Sequence, residues 1–183
     1  MKGNFEDSLA ERSFGGTAYE VPFVSMLLPD GNIAVAGFRR DSNSTEELGC
    51  YLQFMDQDLN ILYQNSYMIR EPYIGFGTTA SILTDNEGNI LAAMIAAVED
   101  DSSETVFADL AFYKFNQAGD TLLSRYYSYI WDEWPYEFQK IPNSENFMLI
   151  EKSTHYNGHE ELMFLDNDFN ILTINQFNND DSH

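Results

Sequence analysis

An internal repeat constrains the fold of this chain more than any other feature of its sequence. The stretch "DQDLNILYQNSY", which begins at Asp56, is copied almost position for position by "DNDFNILTINQF" from Asp166. "NQAGDTLLSRYY", from Asn116, is a looser copy, and "NFEDSLAERSF", from Asn4, is a shorter one. When the copies are aligned, four leucines coincide at intervals of 53, 60 and 50 residues: Leu9, Leu62, Leu122 and Leu172. A repeat of this length indicates a supersecondary unit that is used several times.

Two further sets of echoes occur in the same order along the chain. "PDGNIAVAG", "NEGNILAAM" and "NSENFMLIE" carry asparagines at equal steps of 57 residues: Asn32, Asn89 and Asn146. "YLQFMD", "AFYKFN" and "ELMFLD" each lead directly into a copy of the first set. Three independent sets with one order and nearly one period indicate three full copies of the same unit.

Each period predicts four short β-strands. Runs of residues rich in Val, Ile, Leu, Phe and Tyr are separated by Gly, Asn, Asp and Pro turns, and no segment carries a sustained helical period. The predicted strands are 19–28, 32–38, 49–55 and 60–68, then 77–84, 89–98, 106–115 and 121–128, then 136–141, 146–152, 160–165 and 171–177. A period of about 40 to 60 residues built from four strands is typical of a β-propeller blade.

The residues also resemble a known family. "PDGNIAVAGF" followed by "YLQFMDQDLNILYQNSY" is similar to the blade repeat of many bacterial β-propeller repeat proteins, and the resemblance covers nearly the whole chain. It implies a propeller fold, but its motifs are structural and imply no catalytic residue. The third unit departs from the pattern, because "NSENF" replaces Asp-Gly-Asn and no Ala-Gly follows. We therefore expect the third unit to be the most diverged.

Together these patterns predict an all-β, propeller-like fold in a single domain spanning residues 1–183. Three four-stranded antiparallel blades are expected at about 17–70, 74–130 and 134–178, with an extra outer strand at 4–15 and a disordered tail at 178–183. Propellers close with four to eight blades, so three blades form a half-propeller or a fragment. A homodimer that completes a six-bladed ring is the favoured solution, and a section of a larger ring is the alternative.

The net charge of the chain limits the classes of partner that it can bind. The 30 acidic and 9 basic residues give a formal net charge of −21, which argues against nucleic acid and anionic membranes as partners. No stretch has the length of an apolar transmembrane helix, and "MKGNFEDSL" lacks the apolar region of a signal peptide. The chain is then cytoplasmic or has lost an export signal, and the family resemblance favours export to the periplasm or cell surface. The single cysteine, Cys50, is expected to fill the core.

Two stretches imitate metal sites. In the first, Asp56, Asp58 and Asn60 alternate like the opening of a calcium loop, but Ile61 and Tyr67 stand where such a loop needs Gly and Glu. A turn between strands is therefore predicted there. The second, "HYNGHEE", contains His155 and His159, but its Asn-Gly pair indicates an exposed hairpin tip and no third ligand is evident. We predict no metal and no cofactor.

The stretch "YSYIWDEWPYEF" holds both tryptophans and joins the second blade to the third. Its aromatic rings can stack on a sugar or an apolar peptide while neighbouring carboxylates accept hydrogen bonds. The predicted ligand-binding residues are Tyr129, Trp131, Asp132, Trp134 and Tyr136. The competing interpretation is that these rings pack between blades or in a dimer seam.

No catalytic motif is present in the sequence. There is no nucleophile elbow, phosphate loop or dinucleotide fingerprint, and none of the many carboxylates stands in a distinctive motif. The sequence therefore favours a non-catalytic binding module that recognises a protein or a glycan through its rim loops. A propeller glycosidase with paired carboxylates is the enzymatic alternative, and a purely structural section of a larger ring is the third.

Overall fold

The structure is a computed structural model that describes residues 19–40, 48–68, 79–99, 106–127, 133–153 and 159–177. These residues form strands and turns only, and no helix occurs among them, so the all-β prediction is confirmed. The strands are β1 (Tyr19–Leu27), β2 (Ile33–Arg40), β3 (Leu48–Met55), β4 (Ile61–Met68), β5 (Thr79–Thr84), β6 (Ile90–Glu99), β7 (Val106–Phe115), β8 (Thr121–Tyr127), β9 (Glu133–Lys140), β10 (Phe147–Ser153), β11 (His159–Leu165) and β12 (Ile171–Phe177).

The strands form three four-stranded antiparallel sheets, each built from four consecutive strands. Sheet 1 has the order β1-β2-β3-β4, sheet 2 the order β5-β6-β7-β8, and sheet 3 the order β9-β10-β11-β12. The described sheets do not close into a barrel, and they are consistent with a partial propeller. The predicted extra strand at 4–15 and the predicted tail at 178–183 lie outside the described residues.

The largest difference from the predicted strand bounds is at the start of sheet 3. β9 begins at Glu133, whereas the sequence pattern placed its start at Tyr136. Pro135 lies within this strand. Because β9 is an edge strand, its free side needs no N–H donor, and a proline is tolerated there.

The turns between β3 and β4 and between β11 and β12 share one hydrogen-bonded geometry. In the first, the Oδ1 atom of Asp56 accepts hydrogen bonds from the backbone N–H of Asp58 at 2.9 Å and of Asn60 at 2.8 Å. Its Oδ2 atom accepts a third from the Asn60 side-chain amide at 2.9 Å. Asp166 makes the same three bonds in the second turn. The prediction of a turn at Asp56 is therefore confirmed, and its carboxylate is used to hold the backbone.

Two apolar cores hold the sheets together. Core 1 lies between sheets 1 and 2, and core 2 lies between sheets 2 and 3. The two faces of β6 serve different cores, since Ile90, Ala92 and Met94 belong to core 1 whereas Leu91 and Ala93 belong to core 2. Sheet 2 therefore carries apolar side chains on both faces, because each face is buried against a neighbouring sheet.

The outer strands of sheets 1 and 2 also contact the last turn of the next sheet. The hydroxyl of Tyr63 in β4 donates to the backbone oxygen of Gly119 at 3.3 Å. The Nε atom of Arg125 in β8 donates to the backbone oxygen of Asp168 at 2.6 Å. Sheet 1 therefore contacts sheet 2 in the same way as sheet 2 contacts sheet 3.

The first strand of each sheet contains a β-bulge. In β1, Pro22 pairs with Gly37 and Val24 pairs with Ala36, which leaves Phe23 as the extra residue. The corresponding extra residues are Ala80 in β5 and Tyr136 in β9. β5 contacts both β1 and β9, so these first strands lie side by side, and we call them the inner edge. A bulge bends its strand and redirects a side chain.

Candidate functional site

The structure places two of the five predicted rim residues in β9. Tyr136 is 62% exposed, and Trp134 pairs through its backbone with Lys152. Tyr129, Trp131 and Asp132 lie outside the described residues. The described residues therefore include only Trp134 and Tyr136 of the five, and the role of all five in ligand binding stays a prediction.

A second exposed aromatic residue lies at the other end of the inner edge. Phe23 occupies the equivalent bulge in β1 and is 44% exposed. In contrast, Phe138, two residues beyond Tyr136, is buried in core 2. The bulges therefore present one large aromatic ring to solvent from each terminal sheet.

Sequence reasoning found Tyr136 but missed Phe23, although a signal for both exists. In each case a proline directly precedes the aromatic residue, in "VPF" and in "WPY". Pro22 and Pro135 occupy the same register position before the bulge. Proline at an edge strand or bulge followed by a large ring was the available clue.

Polar groups adjoin Tyr136. Glu137 and Gln139 follow it along β9 and are exposed, and the Gln139 side-chain amide donates a hydrogen bond to the Glu137 carboxylate. An aromatic face beside a carboxylate can stack on a sugar ring and accept its hydroxyl protons. The same pair can also bind a cationic side chain.

A second polar group of residues lies between sheets 2 and 3. The Nζ atom of Lys114 is 2.8 Å from Oδ2 of Asp85 and donates to Oδ1 of Asn167 at 3.2 Å. Burial alone raises the pKa of Asp85, but hydrogen bonds from Lys114 and Asn89 and the charge of Lys114 outweigh it and hold that pKa below 3.8. This ion pair is buried within sheet 2, and the hydrogen bond from Lys114 to Asn167 connects it to a turn of sheet 3.

The cavity beside this ion pair is too small for a ligand. Its volume is about 60 Å³, and its lining includes Asp85, Lys140, Glu145 and Asn167. Sites for organic ligands measure about 300 to 1,000 Å³, whereas one water occupies about 30 Å³. The cavity can therefore hold ordered water but no substrate.

Glu151 in β10 is the second residue that sequence reasoning missed. Its side chain is fully buried, and neither carboxyl oxygen has a hydrogen-bond partner among the described residues. Burial, and then the charge of Glu161 directly opposite, raise the pKa of Glu151 to about 8. The repeat contained a signal for Glu151. The equivalent positions of the first two units hold uncharged residues, Gly37 and Met94, so a carboxyl group at this position is an exception.

A protonated acid beside an ionised one is the arrangement that glycosidases use. Glu151 has no exposed surface, so a substrate cannot reach its carboxyl group in this structure. The pair of Glu151 and Glu161 therefore does not constitute an active site here.

Within the described residues, no group of three or more His, Cys, Asp or Glu side chains is placed to hold a metal ion. His155 lies outside the described part of the chain, and only the backbone of His159 is described. The same part contains no helix that is long and apolar enough to cross a membrane.

Fold and site together define an all-β protein of three stacked four-stranded sheets with exposed aromatic rings at its inner edge. A scan against known protein families finds no model that matches this chain, and a search of curated proteins finds no significant match.

Proposed function

We propose that this chain is a non-catalytic binding module of propeller type that recognises a protein or a glycan through its inner edge and the adjoining rim loops. The observation that carries the proposal is the 62% exposure of Tyr136 at a bulge, matched by the 44% exposure of Phe23 at the equivalent bulge. Large aromatic rings bury much area on binding and lose few torsions, which makes them frequent anchors of interfaces.

The charge of the chain narrows the class of ligand. A formal net charge of −21 repels anionic ligands at long range, and Glu137 adds a carboxylate next to Tyr136. Neutral sugars and cationic peptide segments suit such a site, because a ring face binds both and a carboxylate accepts hydrogen bonds from both.

Titration calorimetry with neutral oligosaccharides and with Lys- and Arg-rich peptides tests this proposal. We expect at least one probe to bind the native protein, and Tyr136→Ala to weaken that binding about tenfold or more, as interface anchors do. Phe177→Ala is the matched control, since Phe177 is 53% exposed on the outer strand β12, away from the inner edge.

Two results would overturn it. One is a Tyr136→Ala variant that binds every probe as the native protein does. The other is a folded native protein that binds no oligosaccharide and no basic peptide at millimolar concentration. Circular dichroism of each variant separates lost binding from lost folding.

A second copy of the chain is the proposed partner at the open ends of the stack. Four apolar residues of sheet 3 face away from sheet 2, and each is equivalent to a residue through which sheet 1 contributes to core 1: Met148 to Ala34, Ile150 to Ala36, Leu162 to Leu52 and Phe164 to Phe54. This equivalence supports the packing of a further sheet on sheet 3, which sheet 1 of another copy would supply.

The receiving face would be the outer face of sheet 1. Leu27 is 72% exposed and Ile61 is 44% exposed there, whereas Tyr51, Gln53 and Met55 of the central strand β3 are already buried. A partner would therefore contact this face at its two edge strands, β1 and β4. Two such contacts, related by a two-fold axis, would complete a six-sheet ring.

A further inference from the structure

Glu151 lies at the packing surface between two sheets. In β10 it stands on the same face as Phe147 and Leu149, which belong to core 2 together with Leu91 and Ala93 of sheet 2. Its side chain is fully buried, and neither carboxyl oxygen has a hydrogen-bond partner among the described residues. A carboxyl group placed in this way interrupts an otherwise apolar interface.

No described cation faces this carboxyl group. β11 presents Glu161, whose Oε1 atom accepts a hydrogen bond from the side-chain amide of Gln176 in β12 at 2.7 Å. β9 presents Pro135, which has no titratable group. Sheet 2 contributes apolar side chains to this interface: Leu91, Ala93, Leu110 and Phe112. The neighbouring register row pairs Ser153 with two titratable residues, Glu133 and His159.

The ionised form of Glu151 is the costly form in this environment. A buried carboxylate without a counter-charge loses its hydration and gains nothing in return, whereas the neutral acid loses much less. Burial and then the charge of Glu161 raise the pKa of Glu151 to about 8. The side chain is therefore protonated in the folded protein near neutral pH.

Glu151 is also joined to the exposed aromatic site. On β9 it pairs with Pro135, and the register shift that makes Tyr136 the extra residue falls between Ile150 and Glu151. Glu137, on the other side of the bulge, pairs with Ile150. Any movement of β10 that relieves the buried charge therefore acts directly on the bulge that holds Tyr136.

We propose that Glu151 is a proton-controlled catch: its neutral form packs sheet 3 against sheet 2 and fixes the Tyr136 bulge, and its ionised form loosens both. The regulatory meaning of this catch rests on the proposed binding function, whereas the catch itself does not. Its direction follows from linkage. The folded state holds the proton above the ordinary pKa of 4.5, so stability is full below that value and declines as pH rises, until the decline is complete above about 8.

Thermal unfolding at a series of pH values from 5 to 9 tests the catch without any ligand. We expect the Tm of the native protein to fall by several degrees across this range. Glu151→Gln keeps the shape of the side chain and removes its proton equilibrium, so its Tm should lose most of that slope. Glu160→Gln is the matched control, because Glu160 is exposed in β11 and should leave the slope unchanged. Equal slopes in the native protein and Glu151→Gln would overturn the proposal.

Carbon-13 NMR of the side-chain carboxyl groups tests the titration directly, even if Glu151→Gln fails to fold. We expect one Glu carboxyl resonance of the native protein to titrate far above the others. In Glu161→Gln that resonance should titrate at lower pH, because a neighbouring negative charge is gone. The absence of any carboxyl group that titrates above pH 6 would overturn the proposal.

Hydrogen exchange monitored by mass spectrometry tests the link to the aromatic site. The protection factors of β9 amides, corrected for the intrinsic pH dependence of exchange, should fall between pH 5 and 8 in the native protein and stay constant in Glu151→Gln. Constant protection in the native protein would disprove the link to Tyr136. This readout needs no ligand, so a failure of the binding proposal leaves its outcome unaffected.

Discussion

The three equivalent turns that lead into the outer strands β4, β8 and β12 each contain a residue with positive φ. Leu59 and Phe169 adopt φ values of 60° and 59°, which non-glycine residues rarely do, and Gly119 adopts 86° in the equivalent turn. Phe169 is nevertheless fully buried in core 2, with its ring stacked on Phe112 at a centroid distance of 5.4 Å. The packing of that ring offsets the strain of its backbone.

Replacement of Phe169 by Ala should be among the most destabilising substitutions in the described part of the chain. The variant loses a buried ring and keeps the unfavourable φ, so we expect a loss of about 3–5 kcal/mol in the free energy of unfolding. Urea denaturation measures it. Phe177→Ala, which removes an exposed ring from the same sheet, should stay within about 0.5 kcal/mol of the native protein.

Gly119→Ala and Gly88→Ala form a second matched pair. Both glycines have positive φ, 86° and 81°, so both substitutions strain the backbone. A Cβ atom at Gly119 would lie 2.2 Å from the ring of Tyr63, whereas one at Gly88 would lie 2.8 Å from the flexible end of Gln117. We expect about 1–3 kcal/mol of destabilisation at Gly88 and clearly more at Gly119. Equal losses in the free energy of unfolding, measured by urea denaturation, would show that the ring of Tyr63 moves aside at little cost.

Acid should also destabilise the protein, through groups other than Glu151. Burial raises the pKa of Asp166, but hydrogen bonds from Asn170 and Asp168 together outweigh it and lower that pKa from 3.8. Burial likewise raises the pKa of Asp85, but its bonds to Lys114 and Asn89 outweigh it and lower that pKa. Their contribution is present above pH 3.8 and is lost as pH falls through the lowered values.

Asp166→Asn should reduce this acid sensitivity with little loss of stability at pH 7. Asn116 holds the equivalent turn of sheet 2 in the same way, since its Oδ1 atom accepts hydrogen bonds from the backbone N–H of Ala118 and Asp120. Thermal unfolding at pH 2.5, 4 and 7 measures the effect. If the Tm of the variant falls as much on acidification as the Tm of the native protein, Asp166 does not contribute to the acid sensitivity.

At the scale of the strand, bulges decide which side chains are exposed. The outer strands β4, β8 and β12 each contain one extra residue, a leucine that is more than half exposed: Leu62, Leu122 and Leu172. The repeat aligned these leucines, but their exposure depends on a one-residue register shift that alternation alone does not reveal. Bulges on edge strands also discourage pairing with other chains.

Two adjacent leucines of β8 test this interpretation. Leu122 is 52% exposed at the bulge, whereas Leu123 packs against core 2. We expect Leu122→Lys to stay within about 0.5 kcal/mol of the native stability and Leu123→Lys to lose more than about 2 kcal/mol. Urea denaturation measures both, and the opposite order would contradict the observed register.

The sequence predicted the elements better than it predicted the site. Strand positions followed from alternation and from Asn and Asp turns, and β7 and β12 match their predicted bounds at both ends. Phe23 was missed because its exposure requires a bulge, and Glu151 because burial of a charged residue depends on a neighbouring sheet distant in sequence. Such three-dimensional causes leave few local signals.

At the scale of the molecule, the open ends of the stack determine the proposed oligomer. Light scattering on a sizing column should give a mass near 42 kDa, twice the 21.0 kDa of the chain. Ile150→Asp places a charge on the outer face of sheet 3 and should yield the monomer, whereas the exposed Leu122→Asp in β8 should leave the dimer intact. A native mass of 21 kDa at all concentrations would contradict the proposed pairing.

Because each described strand pairs only with strands adjacent to it in sequence, each sheet can assemble from a single continuous stretch of the nascent chain. Contacts between near neighbours close small loops, which favours fast folding for a β protein. Sheet 1 can form before the ribosome has made sheet 2, and its apolar face is then exposed until sheet 2 packs on it. During synthesis this exposed face is the point at which the growing chain is most open to aggregation.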